Sequence, residues 1–191
     1  MHPGRLQLWW LPVGAGGHVV IHTSRWWELV QARRLHRRPQ PLFHSALIVD
    51  AGDVEHVIEM APAWGRNDPA RRVVATGPVG LRQLGRFRLF RYEVRCWPNG
   101  ILPDRRYAAG RPVEFELAPG AASALIDRVA AVPRYVWGQQ LPGSGDMWNS
   151  NSLTSWLLQG AGIDAAGLRP PGGGRAPGWD AGITAARGGT D

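Results

Sequence analysis

The sequence predicts an α+β protein in which an antiparallel sheet packs against a few helices. Short runs of branched and aromatic residues alternate with turn residues, and two of these runs form a well-marked hairpin. Stretches with helical periodicity lie between and after these runs. The chain has 191 residues, of which 44% are hydrophobic, so it is long enough to bury a sizeable core. We expect one domain over residues 1–169 and a Gly/Pro-rich tail over residues 170–191.

The first part of the chain predicts two strands followed by a helix. Leu6–Val13 and His18–Thr23 are rich in branched and aromatic residues, and the glycines between them indicate a hairpin turn. These glycines lack the G-x-G-x-x-G spacing and are not followed by a helix, which excludes a dinucleotide loop. Ser24–Arg38 has helical periodicity, and Pro39 ends it.

The hairpin comprises Leu42–Asp50 and His56–Ala61, joined by the turn Ala51-Gly-Asp53. If its arms pair about Ala51 and Gly52, Glu59 lies directly opposite His44. An acid that faces a histidine can hold its tautomer and stabilise the imidazolium, as the third member of a catalytic triad does. The alternative is a surface cross-strand pair that contributes little.

The rest of the chain predicts two more strands and two helices. Arg72–Thr76 is a short strand, and Arg86–Trp97 alternates over the length of a long one. Ala121–Val132 is a helix that ends before a proline, and a second helix follows Ser152. Beyond Pro170 the sequence is typical of a loop, with a frayed end at Ala181–Asp191.

The charge of the chain would ordinarily suggest nucleic acid, since the net charge is +7 with a pI of about 11.1. All 22 basic residues are arginines, and the chain also holds 25 Gly and 16 Pro, which indicates a bias of the coding sequence. The densest patch, Arg33–Arg38, is typical of a solvated helix end. We therefore do not expect a nucleic-acid partner, and the alternative is phosphate binding by this patch.

Cysteine and histidine content argues against a disulfide framework and against a metal site. Cys96 is the sole cysteine and lies in a strand-like stretch, which predicts a buried thiol. His18 and His22 are four apart on a predicted strand, too far apart to share one ion. We expect no metal and no cofactor. No apolar run reaches the ~18 residues that span a bilayer, and we expect a cytoplasmic protein without a membrane span.

The stretch Asn149-Ser-Asn-Ser152 supplies more polar side chains than one helix start needs. Each of the four is a good N-cap, and the helix after them carries apolar residues at helical spacing. Ser150 therefore lies where helix N–H groups converge and stabilise negative charge. It is the candidate nucleophile, with Ser152 as its rival, and a plain helix cap is the alternative. No G-x-S-x-G elbow occurs, which excludes an α/β-hydrolase.

Two short stretches resemble the circularly permuted papain-like fold, which includes lecithin–retinol acyltransferase-like and NlpC-like proteins. His44-Ser-Ala-Leu-Ile-Val49 is similar to the histidine strand of these families, and Val57-Ile-Glu-Met60 to the strand that carries the acid. Asn149-Ser-Asn-Ser-Leu153 is similar to the helix that opens on a catalytic cysteine, with Ser150 in its place. The resemblance implies Ser150 as nucleophile, His44 as base and Glu59 as orienting acid.

These residues lead to two hypotheses for the function. The first is a hydrolase or acyltransferase that acts on an amide or ester through Ser150, His44 and Glu59. The second is an inactive papain-like module that binds a peptide, glycan or lipid in a Trp-rich cleft. In both, the residues expected to contact the ligand are Trp148, Asn149, Asn151 and Trp179.

Overall fold

The computed structural model describes residues 3–14, 28–30, 32–34, 36–52, 54–63, 72–102 and 104–188. Over these residues the chain is an α+β protein with a six-stranded sheet in the order β4-β5-β3-β2-β1-β6. All neighbouring strands are antiparallel, as predicted. The strands are β1 (Gly4–Pro12), β2 (Phe43–Asp50), β3 (Glu55–Pro62), β4 (Val73–Pro78), β5 (Arg91–Pro98) and β6 (Val113–Leu117).

Three helices follow the last strand in the described part of the chain. They are α1 (Ala121–Arg128), α2 (Ser150–Gly160) and α3 (Trp179–Gly188). The predicted helices Ala121–Val132 and 153 onward correspond to α1 and α2. Residues 28–30 and 32–34 are also helical and lie within the predicted helix Ser24–Arg38. The predicted strand His18–Thr23 lies outside the described residues.

The sheet has two differently covered faces, because successive strand side chains point to opposite sides. On the helical face, Leu8, Leu47 and Ile58 pack with the three helices in the larger core cluster. On the second face, Trp9 and Ile48 form a smaller cluster with Leu102 of the loop after β5. This alternation decides which polar side chains of β2 can contact a helix.

Helix α2 is the centre of the helical face. The sequence indicates a single apolar side, but every residue from Ser150 to Leu158 is buried. Strand β2 lies against it, and α3 packs along it. A helix that is enclosed on all sides must satisfy its polar side chains internally, since water does not reach them.

The segment beyond Pro170 differs from the expected tail. Trp179–Gly188 forms helix α3, in which Trp179, Ala181, Ile183 and Ala185 are buried. The prolines that predicted a loop end at Pro177, and the small residues of α3, Gly182 among them, allow it to pack closely on α2. The expectation of a frayed Ala181–Asp191 is therefore wrong for residues 181–188.

The predicted hairpin forms, but its register differs from the expected one. Asp50 pairs with Glu55 and Leu47 with Ile58, so the connecting loop holds four residues rather than turning about Ala51 and Gly52. The longer loop moves each partner two positions along β3. The expectation that Glu59 lies directly opposite His44 is therefore wrong.

The predicted long strand Arg86–Trp97 is shorter than expected. Residues Arg82–Arg86 and Arg88–Phe90 form two turns of 3-10 helix, and β5 begins at Arg91. Strand β4, its partner at the sheet edge, ends at Pro78, so the residues before Arg91 lack a partner strand on the β4 side. Strand β6 has no counterpart among the predicted strands, although Val113-Glu-Phe-Glu-Leu117 alternates clearly.

No helix of the described residues is long and apolar enough to cross a membrane.

Candidate functional site

The polar knot, defined as residues Asn149–Ser152, begins helix α2 as predicted. Asn149 is the N-cap, and its side chain accepts a hydrogen bond from the Asn151 N–H at 2.9 Å. In return the Asn149 N–H donates to the Ser152 hydroxyl at 3.0 Å. This reciprocal arrangement is a capping box, which satisfies backbone N–H groups that the first helical turn leaves unpaired.

Asn151 is the most heavily engaged residue of the knot and is only 2% exposed. Its side-chain oxygen accepts from the Ser45 hydroxyl at 2.8 Å. Its amide nitrogen donates to the carbonyl oxygens of Phe43 and Pro177, at 2.9 and 2.8 Å. An amide carries two N–H donors and one oxygen, so every polar atom of this side chain is used. Asn151 therefore links strand β2, helix α2 and the segment before α3.

Two further side chains of the knot hold the segment that enters helix α3. The Asn149 amide donates to the Pro177 carbonyl at 2.8 Å, and the Ser152 hydroxyl donates to the Gly178 carbonyl at 2.7 Å. Gly178 has φ +91, and a Cβ there would lie 2.2 Å from the Asn149 side-chain oxygen. The hydroxyl of Ser152, the rival candidate nucleophile, therefore donates its proton in a hydrogen bond to a carbonyl within the protein.

Asp146 extends this clamp from the loop before the knot. Its carboxylate accepts from the Gly178 N–H at 2.7 Å and from the Met147 N–H at 2.9 Å. Burial raises the pKa of Asp146, and hydrogen bonds from backbone N–H groups oppose that rise. Further along α2, the Ser155 hydroxyl donates to the Trp179 carbonyl at 2.7 Å. The polar side chains between Asp146 and Ser155 therefore dock helix α3.

Ser150 is the exception within the knot. It is the first residue of α2 and is 8% exposed. Its hydroxyl forms no hydrogen bond with another residue among those that the structure describes, although its backbone carbonyl accepts from Thr154 at 3.4 Å. It therefore remains a candidate for ligand contact, while its neighbours are engaged structurally.

His44 lies on the second face of the sheet, away from α2. It is half-buried on β2 and pairs across the ladder with Leu11, which belongs to the cluster of that face. The neighbouring Ser45 points to the helical face and binds Asn151. Desolvation by burial lowers the pKa of His44 to about 4, against which the carboxylate of Asp104 acts in the opposite direction. His44 is accordingly neutral at pH 7.

Glu59 is engaged by an arginine of the neighbouring strand. It pairs with Arg95 across the β3–β5 ladder, and the two side chains form an ion pair at 3.1 Å. Arg95 is 6% exposed and also binds Glu93 at 2.7 Å. Glu59 thus contributes to a largely buried ion-pair group. The residues that were predicted to form a triad do not share one face of the sheet: Ser150 begins α2 on the helical side, whereas His44 and Glu59 both lie on the second face.

The tryptophans expected to line a ligand site are in the core. Trp148 is fully buried, with its ring 5.1 Å from that of Tyr135 in an edge-on arrangement. Trp179 is 4% exposed, lies 4.9 Å from the Trp10 ring and donates from its indole nitrogen to Ala165 at 2.8 Å. Both rings therefore stabilise the junction between the sheet and the helices.

The remaining candidate groups add no site in the described part of the chain. No cluster of three or more His, Cys, Asp and Glu side chains there is placed to hold a metal ion. His18 and His22 lie outside the described residues. Cys96 is buried, as predicted, and burial raises the pKa of its thiol to about 11. In the basic patch, Arg37 donates to the Glu28 carboxylate at 3.0 Å, so its charge is partly neutralised within the protein.

Sequence reasoning missed Ser45 and Asp104, and it assigned Asn151 to ligand contact, whereas the Asn151 side chain binds Ser45, Phe43 and Pro177 within the protein. Strand β2 carries polar residues at the successive positions His44 and Ser45 and is apolar from Ala46 to Val49, so its sequence does not reveal which face each side chain takes. Asp104 comes from a loop, for which no periodicity exists.

A scan of protein-family models, a search of curated proteins and a search of solved structures each find no match to this chain.

Proposed function

We propose that this chain is a non-catalytic binding module whose layout is similar to the permuted papain-like fold. The observation that carries this proposal is the hydrogen bond between Ser45 and Asn151, which occupies the place where a base would meet the helix start. Acyl transfer needs a nucleophile and a base within hydrogen-bond reach of each other. The direction of His44, toward the second face, argues against that contact.

Burial of the knot supports the same proposal. Three side chains of the knot donate to backbone carbonyls within the protein: Asn149 to Pro177, Asn151 to Phe43 and Ser152 to Gly178. A ligand would have to break these internal hydrogen bonds to bind the same side chains. Breaking a buried hydrogen bond costs about 1–3 kcal/mol for each group left unpaired. The described tryptophans are largely buried as well, which favours a ligand surface elsewhere than a Trp-lined cleft.

A second candidate function is acyl transfer through Ser150 alone. The observation in its favour is the Ser150 hydroxyl at the first residue of α2, which has no hydrogen bond within the described chain. The N-terminus of a helix stabilises a developing oxyanion, and this would assist such a reaction. In this version His44 and Glu59 take no part. The Ser150 oxygen bonds to the acyl carbon, the bond to the leaving group breaks, and the hydroxyl proton passes through water to the departing group.

An active-site probe separates the two candidates. We expect the wild-type protein to show no covalent labelling by a fluorophosphonate or an activated ester, and Ser150→Ala and Ser123→Ala to behave identically. Ser123 is exposed on α1 and controls for ordinary serine reactivity. Labelling that disappears only in Ser150→Ala would establish the second candidate. Labelling that survives Ser150→Ala would reveal another nucleophile and would equally overturn the non-catalytic role.

A further inference from the structure

The connection between β4 and β5 exposes an unusual set of side chains. It runs from Val79 to Phe90, and we call it the Arg-Leu-Phe loop. Four of its large apolar side chains are exposed: Leu81 by 55%, Phe87 by 49%, Leu89 by 61% and Phe90 by 36%. Neither of its two 3-10 turns contains a buried residue. Single exposed apolar residues are ordinary, whereas several within one short loop indicate an interaction surface.

The conformation of this loop is held by backbone hydrogen bonds. Each turn is closed by its own bond, from Phe87 N–H to the Leu84 carbonyl at 2.9 Å and from Phe90 N–H to the Phe87 carbonyl at 3.0 Å. At the base, Val79 N–H donates to the Phe90 carbonyl at 2.8 Å. Arg91 adds a bond to the Arg86 carbonyl at 2.8 Å. The apolar side chains are therefore presented outward by a defined scaffold.

The charge of the loop indicates which kind of surface it would bind. Between Gly80 and Tyr92 the sequence contains four arginines and no acidic residue. Arg82 and Arg86 are exposed, and the Arg86 guanidinium lies 4.7 Å from the centre of the Phe87 ring. Guanidinium groups bind phosphate through paired hydrogen bonds. A partner surface that offers both phosphate groups and hydrocarbon would match the arginines and the exposed apolar side chains of this loop.

We propose that the Arg-Leu-Phe loop docks this protein on an anionic lipid bilayer. Arg82 and Arg86 bind lipid phosphates, while Leu81, Phe87 and Leu89 enter the boundary between headgroups and acyl chains. The two most exposed apolar side chains of the loop, Leu89 and Leu81, have no flat face to stack on a base, and all four can enter hydrocarbon, which favours a bilayer over nucleic acid. The net charge of +7 attracts the whole chain to such a surface. This inference gives the proposed binding module a partner and rests on that role.

Vesicle co-sedimentation tests the proposal with the full chain. Phosphatidylcholine vesicles with and without phosphatidylglycerol are compared at low and high salt. We expect binding only to vesicles that contain the anionic lipid, and we expect it to weaken as salt rises. The variant Arg82→Gln with Arg86→Gln should lose about thirtyfold in partition, since each basic group near the surface contributes about fivefold. The variant Leu81→Ser with Phe87→Ser should lose at least about tenfold.

The matched control is the double variant Ile101→Ser with Arg111→Gln, which changes exposed residues outside the Arg-Leu-Phe loop. We expect it to bind vesicles like the wild type. Ile101 is 84% exposed, and Arg111 is exposed too. Thermal unfolding of each variant verifies its fold. Absence of wild-type binding, equal binding to both vesicle types, or equal losses in loop and control variants would overturn the proposal. Retention of DNA without vesicle binding would assign the loop to nucleic acid instead. The probe experiment is independent, so the two proposals can fail separately.

Discussion

The Ser45 hydroxyl and the Asn151 side-chain oxygen form a buried hydrogen bond of 2.8 Å that joins strand β2 to helix α2. Both residues lie one position beyond the residues predicted to react, His44 and Ser150. Adjacent strand side chains take opposite faces, so the contact of Ser45 with α2 directs His44 to the second face. The polar start of α2 therefore contributes to the core.

This bond predicts a measurable coupling between its two residues. Asn151→Ala should lower the free energy of unfolding by about 2–4 kcal/mol, because the Ser45 hydroxyl and the Phe43 carbonyl both lose their Asn151 partner. The Pro177 carbonyl keeps its bond from the Asn149 amide. Ser45→Ala should lower it by about 1–2 kcal/mol. Urea unfolding of both single variants and of the double variant measures the coupling. Ser123→Ala, at an exposed position, should change stability by less than about 0.5 kcal/mol. Additive losses would contradict the direct contact.

The packing of α3 on α2 predicts opposite behaviour for two glycines of one helix. A Cβ at Gly182 would lie 2.0 Å from the Ser152 carbonyl and 2.1 Å from the Ser155 hydroxyl. Gly182→Ala should therefore destabilise the protein by about 2 kcal/mol or more, although alanine favours helices. At Gly188 a Cβ would meet nothing within 4 Å, so Gly188→Ala should be neutral or slightly stabilising. Thermal unfolding that ranks the two variants equally would be inconsistent with this packing.

The buried environment of His44 predicts a dependence of stability on pH. Its pKa falls from 6.5 to about 4 because burial disfavours the imidazolium. Between these values the unfolded chain binds a proton and the folded protein does not, so stability is lost as the pH falls. The loss is about 1.4 kcal/mol per pH unit. Denaturation curves of the wild type and His44→Leu, recorded from pH 7.5 to 4.5, should diverge below pH 6.5. Parallel curves would indicate an exposed histidine.

The ion-pair group around Arg95 predicts a loss of stability that depends on the two carboxylates. Arg95→Met should destabilise the protein by about 3–5 kcal/mol at neutral pH, since it leaves Glu59 and Glu93 close together in a largely buried site. Adding Glu59→Gln and Glu93→Gln should restore part of the stability at neutral pH. Arg111→Gln, at an exposed position, serves as the control, and an equal loss for Arg95→Met with and without the two Glu→Gln changes would disprove the electrostatic origin.

Local signals identified most elements but not their contacts. Asn149 and the glycines after Gln159 marked the two ends of α2, and the hairpin was evident because its turn residues stand between two apolar runs. Its register was missed, because a four-residue loop and a shorter turn are both compatible with the same residues. The end of β5 was missed for a related reason. Alternation continued through Arg86–Phe90, and only the length of the partner strand β4 limited the pairing.

The sequence by itself determined the α+β class, most of the strands and helices, and the capped start of α2, because periodicity and caps depend on neighbouring residues. Tertiary structure decided which face His44 takes, which acid stands beside it, and what the surplus polar side chains of Asn149–Ser152 bind. In a strand with two successive polar residues followed by an apolar run, either face satisfies the local pattern, and only packing against α2 selects one. The same packing turned the supposed tail into α3, because its small and apolar residues become helical when they are buried against α2.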